Sequence, residues 1–399
     1  MVMSHSDSPA DAPLCYLFMI IAGVTHSPEE LEPTCRLLSR RFIGEIWSFG
    51  SNDADVVFDR MRLRVVKDRS RSSLLNFGNF AHRVLAHARD LRSAPPGRIV
   101  VTSYDPFKGG LLALWVARIL EARFMCEVNG AFANRDNFAH IRPGLWRRLR
   151  ALQARVIGSY VLHRANAVRL LFPGQLEGFV RLPPRIIVRQ FFALTYTERF
   201  YPGPEEPIIV AVGFPFARKG IDVLASAFQR VAPRHPDWRL VLIGHGIRDE
   251  LRARGMEHPQ ITALPGLPQS ELAQWVSRCA ILALASRSEA MGRVLLEAAA
   301  AGKCRLATRV DGIPTVVEDG VDGFLVDKED IGQLAAYVEK LIGDRELRRS
   351  MGEAARARVQ SEFSPAAYLA RFEELIVATL GAPASAVRLP AQSAEHTQS

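Results

Sequence analysis

The segment SRSEAMGRVLLEAAAAGK (286–303) follows an apolar run at 280–284 and carries two glutamates, Glu289 and Glu297. The apolar run, closed by Ser286, reads as a buried strand, and the Val-Leu-Leu-Glu-Ala stretch after Gly292 reads as a helix. Strand, loop and helix in that order form the first part of a βαβ unit, in which helices cover a parallel sheet. Open parallel sheets bind ligands beyond the carboxyl ends of their strands, so the loop holding Glu289 faces a ligand. Glu297 follows eight positions later, a spacing that returns to nearly the same helix face. Both carboxylates can then point to the ligand-binding edge. A carboxylate accepts two hydrogen bonds from a vicinal diol, so one glutamate suits a sugar and the other a ribose. The loop and helix start also offer unpaired N–H groups and a positive dipole end, which suit a diphosphate. The bland alternative is a pair of solvent-facing glutamates at a helix start.

Outward from this segment the βαβ rhythm continues. PIIVAV (207–212) reads as the first strand of a second series, with a helix from about 220, and RLVLI (239–243) as the next strand. Helices are predicted over 330–342, 345–360 and 364–380. An earlier series contains an apolar first strand within Leu14–Val24, strands at RIVVTSY (98–104) and RFMCEV (123–128), and a helix at GGLLALWVARILEA (109–122). A long helical stretch around 145–164 leads to a strand at NAVRLLF (166–172). Between the series, YTERFYPGPEEP (196–207) clusters Pro, Gly and Glu and marks the linker. The fold class is α/β, with two Rossmann-like doubly wound domains, 14–200 and 201–363. Residues 1–13 and the tail from Gly381 lack apolar periodicity and are expected to be mobile.

A length of 399 residues suits two domains, and 48% hydrophobic with 23% charged residues suits well-filled interiors under a soluble surface. No signal peptide is apparent. The run Leu14–Val24 is too short to span a bilayer, and Arg118 interrupts the other apolar stretch, so no transmembrane helix is expected. The five cysteines, Cys15, Cys35, Cys126, Cys279 and Cys304, are odd in number, widely spaced and contain no C-x-x-C. Reduced thiols in the cytoplasm are the default, with no zinc site. Net charge is +9, and residues 1–200 hold 28 basic against 17 acidic side chains. That asymmetry marks an anionic partner for the first half, or only a solvated basic face. RPGLWRRLRALQARV (142–156) adds a basic amphipathic helix, with Leu145, Leu149, Leu152 and Val156 at helical spacing and Arg147, Arg148, Arg150 and Arg155 largely elsewhere. A domain helix burying its leucines is expected. A helix lying on an anionic membrane surface is the alternative.

Three further segments carry polar groups at strand ends. VGFPFARKGIDVL (212–224) places Gly213, Phe214, Arg218, Lys219 and Gly220 in one turn. CEVNGAFANRDNF (126–138) places Asn129 just after a strand, where NG is also a favourable turn. DPFKGG (105–110) opens a helix with two glycines, suited either to close approach of a ligand or to helix entry alone. Two motifs fail. GHGIRD (244–249) has Asp249 where a dinucleotide fingerprint needs glycine, and AAAAGKC (298–304) lacks the first glycine and the Ser/Thr of a P-loop.

Taken together, these segments resemble the retaining glycosyltransferases of the GT-B fold, in the large bacterial group numbered family four. The family's E-G-F-G-x-x-x-x-E aligns with Glu289, Ala290, Met291, Gly292 and Glu297. AGKCRLATRVDGIPTVVEDGVDGFLV (301–326) resembles its A-G-x-P-V-I-A-T-x-x-G-G-I-P-E-I-V-x-D-G-x-x-G-L-L-V. A weaker likeness covers most of 100–375. The resemblance implies that Glu297 holds a ribose diol and Glu289 a donor sugar. Backbone amides of Ala290, Met291, Gly292 and Arg293 would meet sugar hydroxyls or diphosphate. Ala290, where glycine is usual, narrows that pocket. The family's G-R-x-x-x-x-K-G is matched at Gly213, Lys219 and Gly220, but Phe214 occupies the arginine position. Arg218 is the cation placed to compensate. Gly244 matches the family's G-x-G turn beside the nucleotide. Asn129 stands at the V-H-G-D histidine; it can hydrogen-bond a hydroxyl but cannot take a proton at neutral pH. DPFKGG resembles a D-P-F-x-x-G segment of some of these transferases.

By this resemblance the chain would transfer a sugar from a nucleotide-diphosphate donor, with retained configuration and no metal or other cofactor. The acceptor would be a polysaccharide, a glycolipid or another saccharide or lipid-linked envelope molecule. The protein would be cytoplasmic or peripheral on the cytosolic face of a membrane, with no nucleic-acid partner. A helix at 364–380 is expected to cross back to the first domain. Phe214 and Asn129 keep a non-catalytic subunit of the same fold open as an alternative. A nucleotide-sugar epimerase or hydrolase is a third reading.

Overall fold

The computed structural model of the protein describes residues 12–68, 73–93, 97–134, 136 and 145–381. Two sheets organise it. The first contains β1 (Tyr16–Thr25), β2 (Ile43–Gly50), β3 (Ala54–Phe58), β4 (Met61–Lys67), β5 (Ile99–Ser103), β6 (Arg123–Glu127), β7 (Ala167–Leu170) and β8 (Ile187–Gln190). Their order is β3-β4-β2-β1-β5-β6-β7-β8. All pairs are parallel except β3–β4, an antiparallel edge hairpin that the sequence reading missed. β1 shows why both faces must be covered: Leu17, Phe18, Met19 and Ile20 are all buried, so successive side chains on opposite faces are apolar. α1 (Pro28–Ser39), α2 (Ser73–Ser93), α3 (Lys108–Ile119) and α4 (Leu145–Leu162) belong to this half.

The second sheet is wholly parallel. It contains β9 (Ile208–Val212), β10 (Arg239–Ile243), β11 (Ile261–Leu264), β12 (Ile281–Leu284), β13 (Cys304–Thr308) and β14 (Phe324–Val326), in the order β11-β10-β9-β12-β13-β14. Its helices are α5 (Ile221–Val231), α6 (Ile247–Ala253), α7 (Gln269–Arg278), α8 (Arg293–Ala300), α9 (Ile331–Gly343) and α10 (Arg345–Glu362). α5 presents Ile221, Leu224, Phe228 and Val231 to the core at helical spacing. In each sheet the chain starts in the middle, builds one side, then returns to build the other. The reversals lie between β1 and β5 and between β9 and β12. Crevices at such reversals are where doubly wound sheets bind ligands.

The last helix, α11 (Pro365–Leu380), leaves the second half and packs on the first. Arg41 grips Glu373 through two hydrogen bonds of 2.8 and 2.7 Å. The Phe372 ring meets Phe42 edge-on at 5.8 Å, and Tyr368 meets Phe191 at 5.8 Å.

α4 overturns one expectation. Leu149, Leu152 and Val156 are 44%, 58% and 60% exposed, so the helix does not bury these leucines. The inward face is instead built from Ala154, Ile157, Gly158, Val161 and Leu162; Gly158 lies within reach of the Phe179 and Phe107 rings, and Val161 packs against Gly110 of α3. A second apolar stripe, Leu149, Leu152 and Val156, is turned outward. Arg148, Arg150 and Arg155 are exposed beside it. Residues 142–144 and the side chains of Leu145 and Arg147 lie outside the described residues, as do 1–11 and 382–399. Among the described residues no helix is long and apolar enough to cross a membrane. All five cysteines are buried free thiols.

Candidate functional site

The loops after β9 and β12 flank the reversal in the second sheet, and they bring together Lys219 and Glu289. The Lys219 ammonium donates to the Glu289 carboxylate, and both side chains are mostly buried, at 11% and 13% exposure. Gly213 makes this possible. Its φ of 142° lies outside the range of ordinary residues, and a β-carbon there would stand 2.6 Å from the Lys219 side chain. The lysine therefore runs across bare backbone on its way to the cleft. Gly244, at the end of β10, donates its N–H to the Leu264 carbonyl at 3.0 Å and lies against the Gly213 carbonyl. This keeps the neighbouring strand end close to the same edge.

Glu297 lies on α8 and is 7% exposed, yet no hydrogen bond reaches its carboxylate among the described residues. Burial pushes its pKa up, and the positive charge of Arg293 one turn earlier offsets part of that shift. A buried carboxylate without donors is costly, and a ligand hydroxyl pair would relieve that cost. At the start of α8, Gly292 adopts a left-handed conformation and no side chain caps the helix. Its first amides are therefore available to an anion. Met291 is buried, Ala290 half-buried and Arg293 exposed. Lys219 and Glu289 thus meet beside the opening of α8, and Glu297 lies further along the same helix.

The other sequence candidates divide. Phe214 is 55% exposed, and its ring lies edge-on to His245 at 6.4 Å. The Arg218 guanidinium turns back to donate to the Phe214 carbonyl at 3.1 Å. Asn129 follows β6 by two residues; its amide oxygen accepts from Arg169 and its NH2 donates to the Tyr104 carbonyl at 3.0 Å. Arg169 is fixed in turn by a fully buried ion pair with Glu127, at 2.6 Å. One Asn129 N–H is left over from these contacts. In DPFKGG the glycines serve helix entry: a β-carbon at Gly109 would lie 2.3 Å from Asp105 Oδ2. Burial pushes the Asp105 carboxyl up to about 6, against the pull of the Phe107, Gly109 and Gly110 amides.

Several residues that organise the site escaped the sequence reading. Arg287 donates two hydrogen bonds, 2.8 and 2.9 Å, to Asp222 on α5, and another to the Ala217 carbonyl. Its backbone N–H donates to the Arg218 carbonyl at 2.8 Å. It therefore ties the lysine loop to the glutamate loop. Asp311, after β13, accepts from the Ser288 hydroxyl at 2.8 Å and from the Glu289 N–H at 2.9 Å. Asn134, from the first half, donates to the same carboxylate at 2.9 and 3.0 Å. Asp311 had a visible signal, since it occupies the first glycine of the G-G-I-P resemblance.

Two sheets of this order, with α11 returned to the first, constitute the GT-B fold. A cyanobacterial sucrose-phosphate synthase, from Thermosynechococcus elongatus, superposes with a TM-score of 0.72 at 18% identity, covering 92% of this chain and 99% of that one. Anabaena HepE in complex with UDP-glucose gives a TM-score of 0.67 at 15% identity, over 91% and 99% of the two chains. Residues 198–358 match the family described as Glycosyl transferases group 1. Among curated proteins, D-inositol 3-phosphate glycosyltransferase of Segniliparus rotundus is 31% identical over 159 residues, 38% of this chain and 35% of that relative. An uncharacterized glycosyltransferase of Methanocaldococcus jannaschii is 31% identical over 147 residues, 36% of this chain and 40% of that relative. The chain thus spans less than half the length of the curated relatives it matches.

Proposed function

We propose that the protein is a retaining glycosyltransferase, moving a sugar from a nucleotide-diphosphate donor to a polysaccharide, glycolipid or related envelope acceptor. The observation that carries this reading is the grouping of paired Lys219 and Glu289, uncapped α8 and unpartnered Glu297. Lys219 and the α8 amides would hold the diphosphate. Glu289 would accept hydrogen bonds from the sugar and Glu297 from the ribose diol. As the bond from the anomeric carbon to the diphosphate breaks, its electron pair passes to the phosphate oxygen, facing fixed positive charge. The acceptor hydroxyl bonds to the same face of that carbon and gives its proton to the departing diphosphate. No group on the first half need act as a base, which suits an asparagine at position 129.

Phe214 and the turned-back Arg218 favour one second reading, a non-catalytic subunit that binds a nucleotide sugar or a partner. Screening nucleotide sugars by thermal shift finds the donor, because a ligand that binds only the folded state raises its stability. The transferase reading expects free nucleoside diphosphate to appear only when an acceptor is added. Tight donor binding without turnover across a broad acceptor screen would establish the non-catalytic reading. Release without any acceptor would point to a hydrolase.

The outward stripe of α4 supports an anionic membrane surface as the place where a lipid-linked acceptor is met. Leu149, Leu152 and Val156 offer apolar contact, flanked by exposed Arg148, Arg150 and Arg155. Association with phosphatidylglycerol vesicles is expected at low salt, weakening sharply as salt rises. Changing the three arginines to glutamine should weaken flotation further. If the parent protein fails to float at low ionic strength, the membrane assignment is wrong and a water-soluble saccharide acceptor takes its place.

A further inference from the structure

Asp311 has a backbone φ of 45°, a left-handed conformation uncommon outside glycine. The glycine of the family pattern would adopt it freely, and an aspartate there carries a conformational cost. Its carboxylate uses the position fully. On one side it accepts from Ser288 Oγ and from the Glu289 N–H, at 2.8 and 2.9 Å. On the other it accepts from Asn134 Nδ2, at 2.9 and 3.0 Å. Asn134 comes from the loop after β6, across the cleft, and also donates to the Arg287 carbonyl at 3.3 Å. The Asp136 N–H donates to Asn134 Oδ1 at 2.9 Å, which helps hold the Asn134 side chain in place. Asp136 itself makes a second crossing, with a 2.7 Å ion pair to Lys328.

One carboxylate thus holds both the backbone of the glutamate loop and the far wall of the cleft. We propose that Asp311 is a positioning residue that couples closure of the two halves to the placement of Glu289, with Asn134 as its partner across the cleft. When Asn134 is seated, the carboxylate is fixed and the Glu289 amide has a stationary acceptor. When the halves part, Asp311 can turn towards solvent, and the loop presenting Glu289 loosens. Donor-sugar contacts would then be set only in the closed arrangement. This role for Glu289 rests on the transferase reading, whereas the coupling between Asp311, Asn134 and the loop does not.

The chemistry permits a reciprocal exchange. Asp311→Asn keeps an acceptor for the Glu289 N–H but turns its NH2 against the Asn134 NH2. Adding Asn134→Asp restores a donor–acceptor pair in the reverse sense. Hydrogen exchange of the Glu289 amide, followed in the ligand-free protein by NMR, reads the coupling without substrate or activity. Asn134→Ala and Asp311→Asn should each speed that exchange about tenfold or more, given the usual strength of hydrogen bonds to a charged group. The double exchange should return it towards the parent value, with thermal melting confirming that all four proteins are folded. Protection unchanged by Asn134→Ala, or a folded double variant that recovers none, would overturn the proposal. If exchange behaves as expected but no nucleotide sugar binds, the coupling stands and the transferase reading falls.

Discussion

Lys219→Ala should lower turnover about 10²–10³-fold, the range typical for removal of one preorganised electrostatic donor. Lys219 is the cation that reaches the cleft edge from the β9 loop, and its ammonium is already desolvated against Glu289. A donor diphosphate would share that ammonium, so the loss should appear in kcat as charge develops on the leaving group. The Arg218 guanidinium bonds the carbonyl of the neighbouring Phe214, so in this arrangement it does not stand in for the absent family arginine. Arg218→Ala should therefore cost far less than Lys219→Ala. Near-parental turnover in folded Lys219→Ala would remove the residue from the mechanism. Equal losses in the two variants would mean that Arg218 swings into the cleft when the donor binds.

Glu297→Ala should weaken donor affinity tenfold or more, because hydrogen bonds to a charged group contribute about 1.5–3 kcal/mol each. Its titration gives a second, sharper signature. Burial raises the Glu297 pKa above the usual 4.5, while a ribose diol is bound by the ionised form. Binding thus favours loss of the proton. Affinity for a nucleotide sugar should be flat above the raised value and fall as pH drops through it, at a higher pH than for an exposed glutamate. The ligand-free protein should behave oppositely. A native state that binds more protons than the unfolded chain gains stability as pH falls through that window. Glu297→Gln should abolish the slope in affinity. Calorimetry across this pH range checks both statements, and a slope that persists in Glu297→Gln assigns the titration to another group.

How much of this was legible in the sequence follows from how far apart the interacting residues lie. Glu289, Gly292 and Glu297 share one loop and one helix, so local spacing alone groups them. Lys219 is 70 positions away from Glu289, but it occupies the equivalent loop of an adjoining strand and could be placed by the βαβ rhythm. Asp311 and Asn134 are 177 positions apart and belong to different sheets. Neither motif nor periodicity links them, and only the assembled cleft shows that one carboxylate serves both. α4 failed for another reason. A helix with two apolar stripes of similar size, Ile157, Val161 and Leu162 against Leu149, Leu152 and Val156, does not declare which faces inward. The close approach that Gly158 and Gly110 allow decides it, and spacing among the leucines carries no information about that. The edge hairpin β3–β4 was missed because β3 is only five residues long and leaves apolar Val57 exposed, so it carries no clean alternation, although β4 alternates from Met61 to Val65.

The position of α11 bears on how the protein is made. Phe42, Phe191 and Phe192 of the first half are buried, and aromatic contacts of the Phe42, Phe191 and Phe192 rings come from Tyr368, Phe372 and Phe363 near the far end of the chain. At usual elongation rates of about 5–20 residues per second, the first sheet leaves the ribosome roughly 10–40 s before α11 does. During that interval these aromatic surfaces have no cover, a state in which nascent chains depend on chaperones or aggregate. A protein truncated before Pro365 would lack Tyr368 and Phe372, and would leave Phe42 and Phe191 in that state permanently. Loss of α11 should therefore yield insoluble protein, although every residue assigned to donor binding precedes it in the chain.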